Sequence, residues 1–174
     1  MALAVCLLFD RRGERLVREL WGRLEEQGIR TLQSHTHGRH HPHLSYAVLR
    51  AWDAGRVDSA LATLPPGEPV HLAFHGTVAF PRGRAALLPS IGAEVAARQE
   101  RVAAVLTATG ADLHRHYAPG EWVPHVSVAT RATGVALPLV VKAITDALPL
   151  RLVADRAAMI DSSTGEVWPL PHVL

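Results

Sequence analysis

The chain has 174 residues, 48% of them hydrophobic and 20% charged. That is a globular composition, and it excludes a disordered tail, a fibrous repeat and a membrane bundle. The formal net charge is only +2, with a pI near 9.2. The arginines are dispersed, so a modest phosphate-binding surface is expected and a nucleic-acid coat is not required. Cys6 is the one cysteine; set in an apolar run, it reads as a buried small hydrophobe, with no internal disulfide, and suits a reducing cytoplasm.

The opening Met1–Phe9 is apolar but too short to cross a bilayer, and it runs directly into Asp10-Arg11-Arg12, so neither a membrane span nor a signal peptide is expected. Ala2–Phe9 reads as a buried strand. Glu14–Gln27 carries Leu16, Val17, Leu20, Trp21 and Leu24 at helical spacing, with Gly28 as its stop. Ile29–Leu32 reads as a short strand, followed by a histidine-rich loop, Ser34–Pro42. His43–Leu49 is a strand, Arg56–Leu64 a short helix broken by Pro65-Pro66, and Val70–Phe80 and Ala85–Leu88 are strands joined at Pro81–Arg84.

Ile91–Thr109 is the clearest helix, its stripe made by Ile91, Val95, Val102, Val105 and Leu106; Arg98 falls on the same stripe. Trp122–Ala129 is a strand. Leu137–Leu148 is a helix with Val140, Val141, Ile144 and Leu148 facing inward, and Leu150–Ile160 and Glu166–Leu170 form a closing hairpin. The order implies an α+β fold: one domain over residues 1–174, with two similar lobes of antiparallel sheet, helices outside and a cleft between them.

Two segments nearly repeat. Pro42-His43-Leu44-Ser45-Tyr46-Ala47 and Pro124-His125-Val126-Ser127-Val128-Ala129 both read proline, histidine, apolar, serine, apolar, alanine. With a period of two, the histidine and serine share one face of a strand and the apolar pair takes the other. The two Cα atoms on the polar face lie about 6.5–7 Å apart, a span that a phosphoryl group bridges. A serine hydroxyl donates to a phosphate oxygen, and an imidazole, with a reference pKa near 6.5, exchanges a proton in either direction at neutral pH. Two such strands at one cleft supply a base, an acid and two phosphate-binding hydroxyls with no metal or cofactor. His75-Gly76-Thr77 is a third match; without the proline and the bulky residue it reads as a decoy.

The pair His43-Leu44-Ser45-Tyr46 and His125-Val126-Ser127-Val128 resembles the signature of the 2H phosphoesterase superfamily, and within it the branch of 2′–5′ RNA ligases and RNA 2′,3′-cyclic phosphodiesterases. The resemblance implies a bilobal α+β fold with a central cleft, and hydrolysis of a cyclic phosphate or reversible 2′–5′ joining of RNA ends. It implies His43 and His125 as catalytic, Ser45 and Ser127 as phosphate-binding, and an RNA end or cyclic-phosphate nucleotide as partner. RNA-processing members commonly place an arginine five residues after the second histidine. That position is Thr130 here, with Arg131 next, on the His125 side if alternation is strict. Arg131, His41 and Arg50 are the further candidates for the cleft.

Two other readings compete. A module could retain the cleft and bind RNA or nucleotide without turnover. Alternatively, His35-Thr36-His37-Gly38-Arg39-His40-His41 could hold a divalent metal, although its spacing fits no standard zinc motif and a solvated basic loop is the simpler expectation. Arg82 and Arg84 are expected to be solvated turn charges; Trp21, Trp52, Trp122 and Trp168 core or rim packing; Tyr46 core; and His114, His116 and Tyr117 surface.

Overall fold

The structure, a computed structural model, describes residues 2–174. Its strands are β1 (Leu3–Phe9), β2 (His43–Leu49), β3 (Val70–Phe80), β4 (Arg84–Ser90), β5 (Val126–Ala129), β6 (Leu150–Asp161) and β7 (Val167–Pro169). Its helices are α1 (Arg11–Glu25), α2 (Ala54–Leu61), α3 (Ala93–Ala108) and α4 (Ala136–Ala147). The mixed architecture agrees with the α+β expectation. Both α1 and α2 begin before their apolar periodicity does, because Asp10 and Asp53 cap them, accepting from Gly13 N at 2.6 Å and Arg56 N at 2.8 Å.

All strand pairs are antiparallel, in the order β2-β1-β6-β3-β4-β5, with β7 beside the far half of β6. The motif strands β2 and β5 stand at opposite ends of this order and nevertheless contact each other. The sheet therefore curls until its two edges meet, without hydrogen-bonding into a barrel. Ile29–Leu32 does not form a strand; only Thr31 bridges to Ala129, as the residues before it close the turn after α1.

One face of the sheet carries Leu3, Val5, Leu7 and Phe9 and packs with Trp21 and Leu24 of α1, Val102 and Leu106 of α3, and Val140 and Ile144 of α4. The other carries a small cluster of Ala4, Cys6, Leu8, Ala158 and Ile160. Val141 departs from the expectation: it is 38% exposed, because Val140 and Ile144 are the positions of α4 that point squarely into the core, with Leu137, Ala143 and Leu148 beside them. Arg98 stays inside the stripe of α3, donating to the carbonyl of Glu68 at 2.7 Å and pairing with Glu94 at 2.5 Å. No helix among the described residues is long and apolar enough to cross a membrane.

Candidate active site

In the β1–β2 register, His43 lies opposite Leu8 and Ser45 opposite Cys6. The first motif thus displays its polar pair on the face away from the main core. In the β4–β5 register, Ser127 lies opposite Ala86, which shares its face with Arg84; Arg84 in turn lies opposite Phe80 on β3. The ring of Phe80 packs against His125, with centroids 4.8 Å apart.

The repeat between the motifs extends to an irregularity that the sequence hides. The β2 register jumps from Ser45 to Ala47 and the β5 register from Ser127 to Ala129. Each strand carries one extra residue, Tyr46 or Val128, at the equivalent place, and in both the bulged residue and its alanine neighbour are buried together in the core. Strict alternation, the argument that set Arg131 on the side of His125, is interrupted at this bulge. Arg131 is exposed, and its charge bears on His35 together with those of Arg84 and Arg30.

The motif histidines are held alike. Nδ1 of His43 meets the carbonyl of His41 at 2.7 Å, and Nδ1 of His125 meets the carbonyl of Val123 at 2.8 Å. A carbonyl only accepts, so each Nδ1 carries the proton and each neutral ring presents an unprotonated Nε2. Both imidazoles lie below the ordinary histidine range. Burial lowers His43 most, its carbonyl bond offsets part of this, and the charges of His125 and His41 lower it further. Burial also lowers His125, against its carbonyl bond, with the charge of Arg84 adding to the effect.

The serine carbonyls are held in crossed fashion. The indole of Trp21, on α1, donates to Ser127 O at 3.1 Å, and the indole of Trp122, beside the second motif, donates to Ser45 O at 3.0 Å. Both tryptophans pack, as expected, and each also makes a bond that the pattern could not reveal. Trp168, in contrast, is 38% exposed on β7.

The other candidates lie as follows. His41 Nδ1 is 3.3 Å from Glu14 Oε1, next to the first motif. Arg50 lies past the opposite end of β2 from His43 and pairs with Asp112 at 2.7 Å. Three further residues lie near the site: Cys6 is buried and Arg84 exposed, as expected, whereas Tyr117 is half-buried instead of exposed. Arg84 is the first residue of β4, with its charge reaching His125, Tyr117 and His114. Tyr117 is not a surface residue: it closes a 3₁₀ turn, Arg115–Tyr117, and is half-buried, its carbonyl accepting from Gln99 Nε2 at 2.8 Å. Cys6 Sγ lies 3.4 Å from Ser45 Oγ.

The histidine-rich loop folds on itself. The His37 and His40 rings are 4.2 Å apart, and His40 Nε2 meets Thr36 Oγ1 at 2.9 Å. His40 is buried and its pKa is pushed down to about 4, by burial first and then by the charges of His37, His43, His35 and His41. Among the described residues, no three histidine, cysteine, aspartate or glutamate side chains converge to hold a metal.

The family model of the 2′–5′ RNA ligase superfamily matches residues 14–166. The chain belongs to that superfamily. Three solved structures share the superfamily fold with this chain. TT0787 of Thermus thermophilus is 15% identical, with a TM-score of 0.63 and both chains fully covered. Escherichia coli LigT, solved in complex with NADP+, is 12% identical with a TM-score of 0.60, covering 97% of this chain and 93% of its own. Kluyveromyces marxianus Usb1, solved with uridine monophosphate, is 13% identical with a TM-score of 0.51, covering 97% and 98%. No curated protein matches the chain by sequence. Membership of the superfamily supports phosphoesterase or ligase-like activity.

Proposed function

We propose that this 2′–5′ RNA ligase superfamily member opens 2′,3′-cyclic phosphates, at an RNA terminus or on a small nucleotide, by metal-independent hydrolysis in a cleft shared by its two lobes. The observation that carries the reading is the matched state of His43 and His125. Each is fixed at Nδ1 by the carbonyl two residues upstream, and the charge of His125 bears on His43.

One imidazole, neutral, takes a proton from water through Nε2 as the water oxygen bonds to phosphorus. The bond from phosphorus to the 2′ or 3′ oxygen breaks, and the other imidazole, protonated, gives its proton to that oxygen. One water is consumed and a phosphomonoester remains. Ser45 and Ser127 donate to the non-bridging oxygens. Run in reverse with a ribose hydroxyl in place of water, the same groups join RNA ends through a 2′–5′ bond. A cytoplasmic setting suits the buried free thiol of Cys6.

Adenosine 2′,3′-cyclic phosphate incubated with the protein and a chelator should give a monophosphate. His43→Ala and His125→Ala should each lose roughly a hundred- to ten-thousand-fold in rate while retaining the fold. Activity that survives removal of both rings defeats the proposal, and binding with the cyclic phosphate intact favours the non-catalytic module.

A further inference from the structure

We propose that Glu14 is a positioning residue: through His41 it fastens the carbonyl that fixes the ring of His43, and His125 is held without such a latch. The inference deepens the phosphoesterase reading of the site and rests on it.

Glu14 stands in the first turn of α1, at the end of the sheet where β1 leaves and β2 enters. Its Oε1 accepts from Arg18, at 3.0 Å from Nε and 2.8 Å from Nη2, and meets His41 Nδ1 at 3.3 Å. Its Oε2 lies 3.8 Å from Arg156 of β6, which also donates to the Phe9 carbonyl. Burial pushes the Glu14 carboxyl up, but the bonds and charges of Arg18 and His41 outweigh it and hold the group below the ordinary carboxylate range. Glu14 is therefore ionised at neutral pH. An ionised carboxylate only accepts, so His41 Nδ1 is the donor.

The latch secures the main chain. His41 gives its ring proton to Glu14, and its own carbonyl accepts from His43 Nδ1 at 2.7 Å. Pro42, between the two histidines, is buried and has a fixed φ, so the joint leaves little freedom for one to shift without the other. The bond at Nδ1 leaves Nε2 of His43 bare for the proton transfer. The Glu14 charge is met by Arg18 and Arg156, whereas the charges that bear on His43 are those of His125 and His41. Glu14 thus acts through position.

The second motif is held differently. The carbonyl that receives His125 Nδ1 belongs to Val123, whose side chain can make no ion pair and is 40% exposed. Helix α1 serves that motif from Trp21 instead, at the Ser127 carbonyl. One helix is the frame for both motifs, fixing a histidine of the first and a serine of the second.

The test reads the His43 ring directly. In its neutral form, ¹⁵N NMR of the imidazole should show Nδ1 protonated and Nε2 bare. Glu14→Ala should move the ring toward the opposite tautomer and leave that of His125 unchanged. On adenosine 2′,3′-cyclic phosphate it should lower kcat about tenfold, with KM within about twofold. Glu14→Gln, which keeps an oxygen for His41 to donate to, should restore most of the rate. In a His41→Ala background, Glu14→Ala should cost nothing further. A His43 ring unmoved by Glu14→Ala, a loss that multiplies with that of His41→Ala, or one that Glu14→Gln does not relieve overturns the latch. If Glu14→Ala fails to fold, His41→Ala must move the His43 ring in the same way, and an unmoved ring there overturns the latch too. If the wild-type protein turns over no cyclic phosphate, the spectra decide alone. A displaced ring sustains the latch while the hydrolytic reading falls; an unmoved ring removes the latch as well.

Discussion

The Trp122 indole donates to the Ser45 carbonyl at 3.0 Å, joining the approach to the second motif to the strand of the first. Its counterpart, from Trp21 to the Ser127 carbonyl, fastens the strand of the second motif to α1. Trp122→Phe retains most of the ring and leaves the Ser45 carbonyl without its donor. The expected cost is about 1–3 kcal/mol, which lowers Tm by several degrees in a thermal unfolding scan. An unchanged Tm would show that the bond is incidental to the contact of β2 with the second motif.

The pH profile follows from the two depressed imidazoles. A general base works above its pKa and a general acid below its own. Since both rings lie below the usual 6.5 in the free protein, kcat/KM should peak on the acid side of that value and decline as pH rises through neutrality. Arg84→Gln removes a like charge that disfavours the His125 imidazolium, so the His125 midpoint should rise while His43 holds. Titration of the imidazole resonances by NMR reads this; a His125 midpoint that stays or falls in the variant contradicts the placement of Arg84.

His40 sets a stability window. Its folded pKa, about 4, lies below its unfolded value of 6.5. Between these values the unfolded chain binds more protons than the folded one, so the stabilisation is complete above 6.5 and is lost as pH falls toward 4. Tm should drop by several degrees from pH 7 to pH 4, and His40→Asn should shrink that difference. An equal difference in the variant would mean that other groups govern the acid transition.

Gly83 separates conformational strain from contact. Its φ is +71°, and a Cβ there would stand 2.6–2.9 Å from backbone atoms of Ala132, whose N–H bonds the Gly83 carbonyl at 2.7 Å. Gly110 has φ +82° and open space around it. Gly110→Ala should cost about 1 kcal/mol from strain alone, and Gly83→Ala about 2–3 kcal/mol. Denaturant unfolding compares them; equal costs would refute the close approach of the β3–β4 turn to the end of β5.

Much of the outline was legible because hydrophobic period is a local property. β2 and β3 have the bounds that their alternation predicts, and α1, α3 and α4 follow their stripes. The misreadings share a cause. The early starts of α1 and α2 belong to capping aspartates outside the apolar pattern, and Ile29–Leu32 found only a one-residue bridge. Tyr117 read as a surface residue because nothing local shows which wall a loop will face.

The paired motifs, the face that each histidine shares with its serine, and the superfamily they resemble were determined by the sequence alone, since a two-residue period places side chains without reference to anything distant. The bulges at Tyr46 and Val128, the crossed tryptophan bonds and the grip of Gln99 on Tyr46 and Tyr117 were decided only by the tertiary structure. Each depends on which strand lies opposite and how far the sheet curls, and those follow from packing the whole core, not from any one segment.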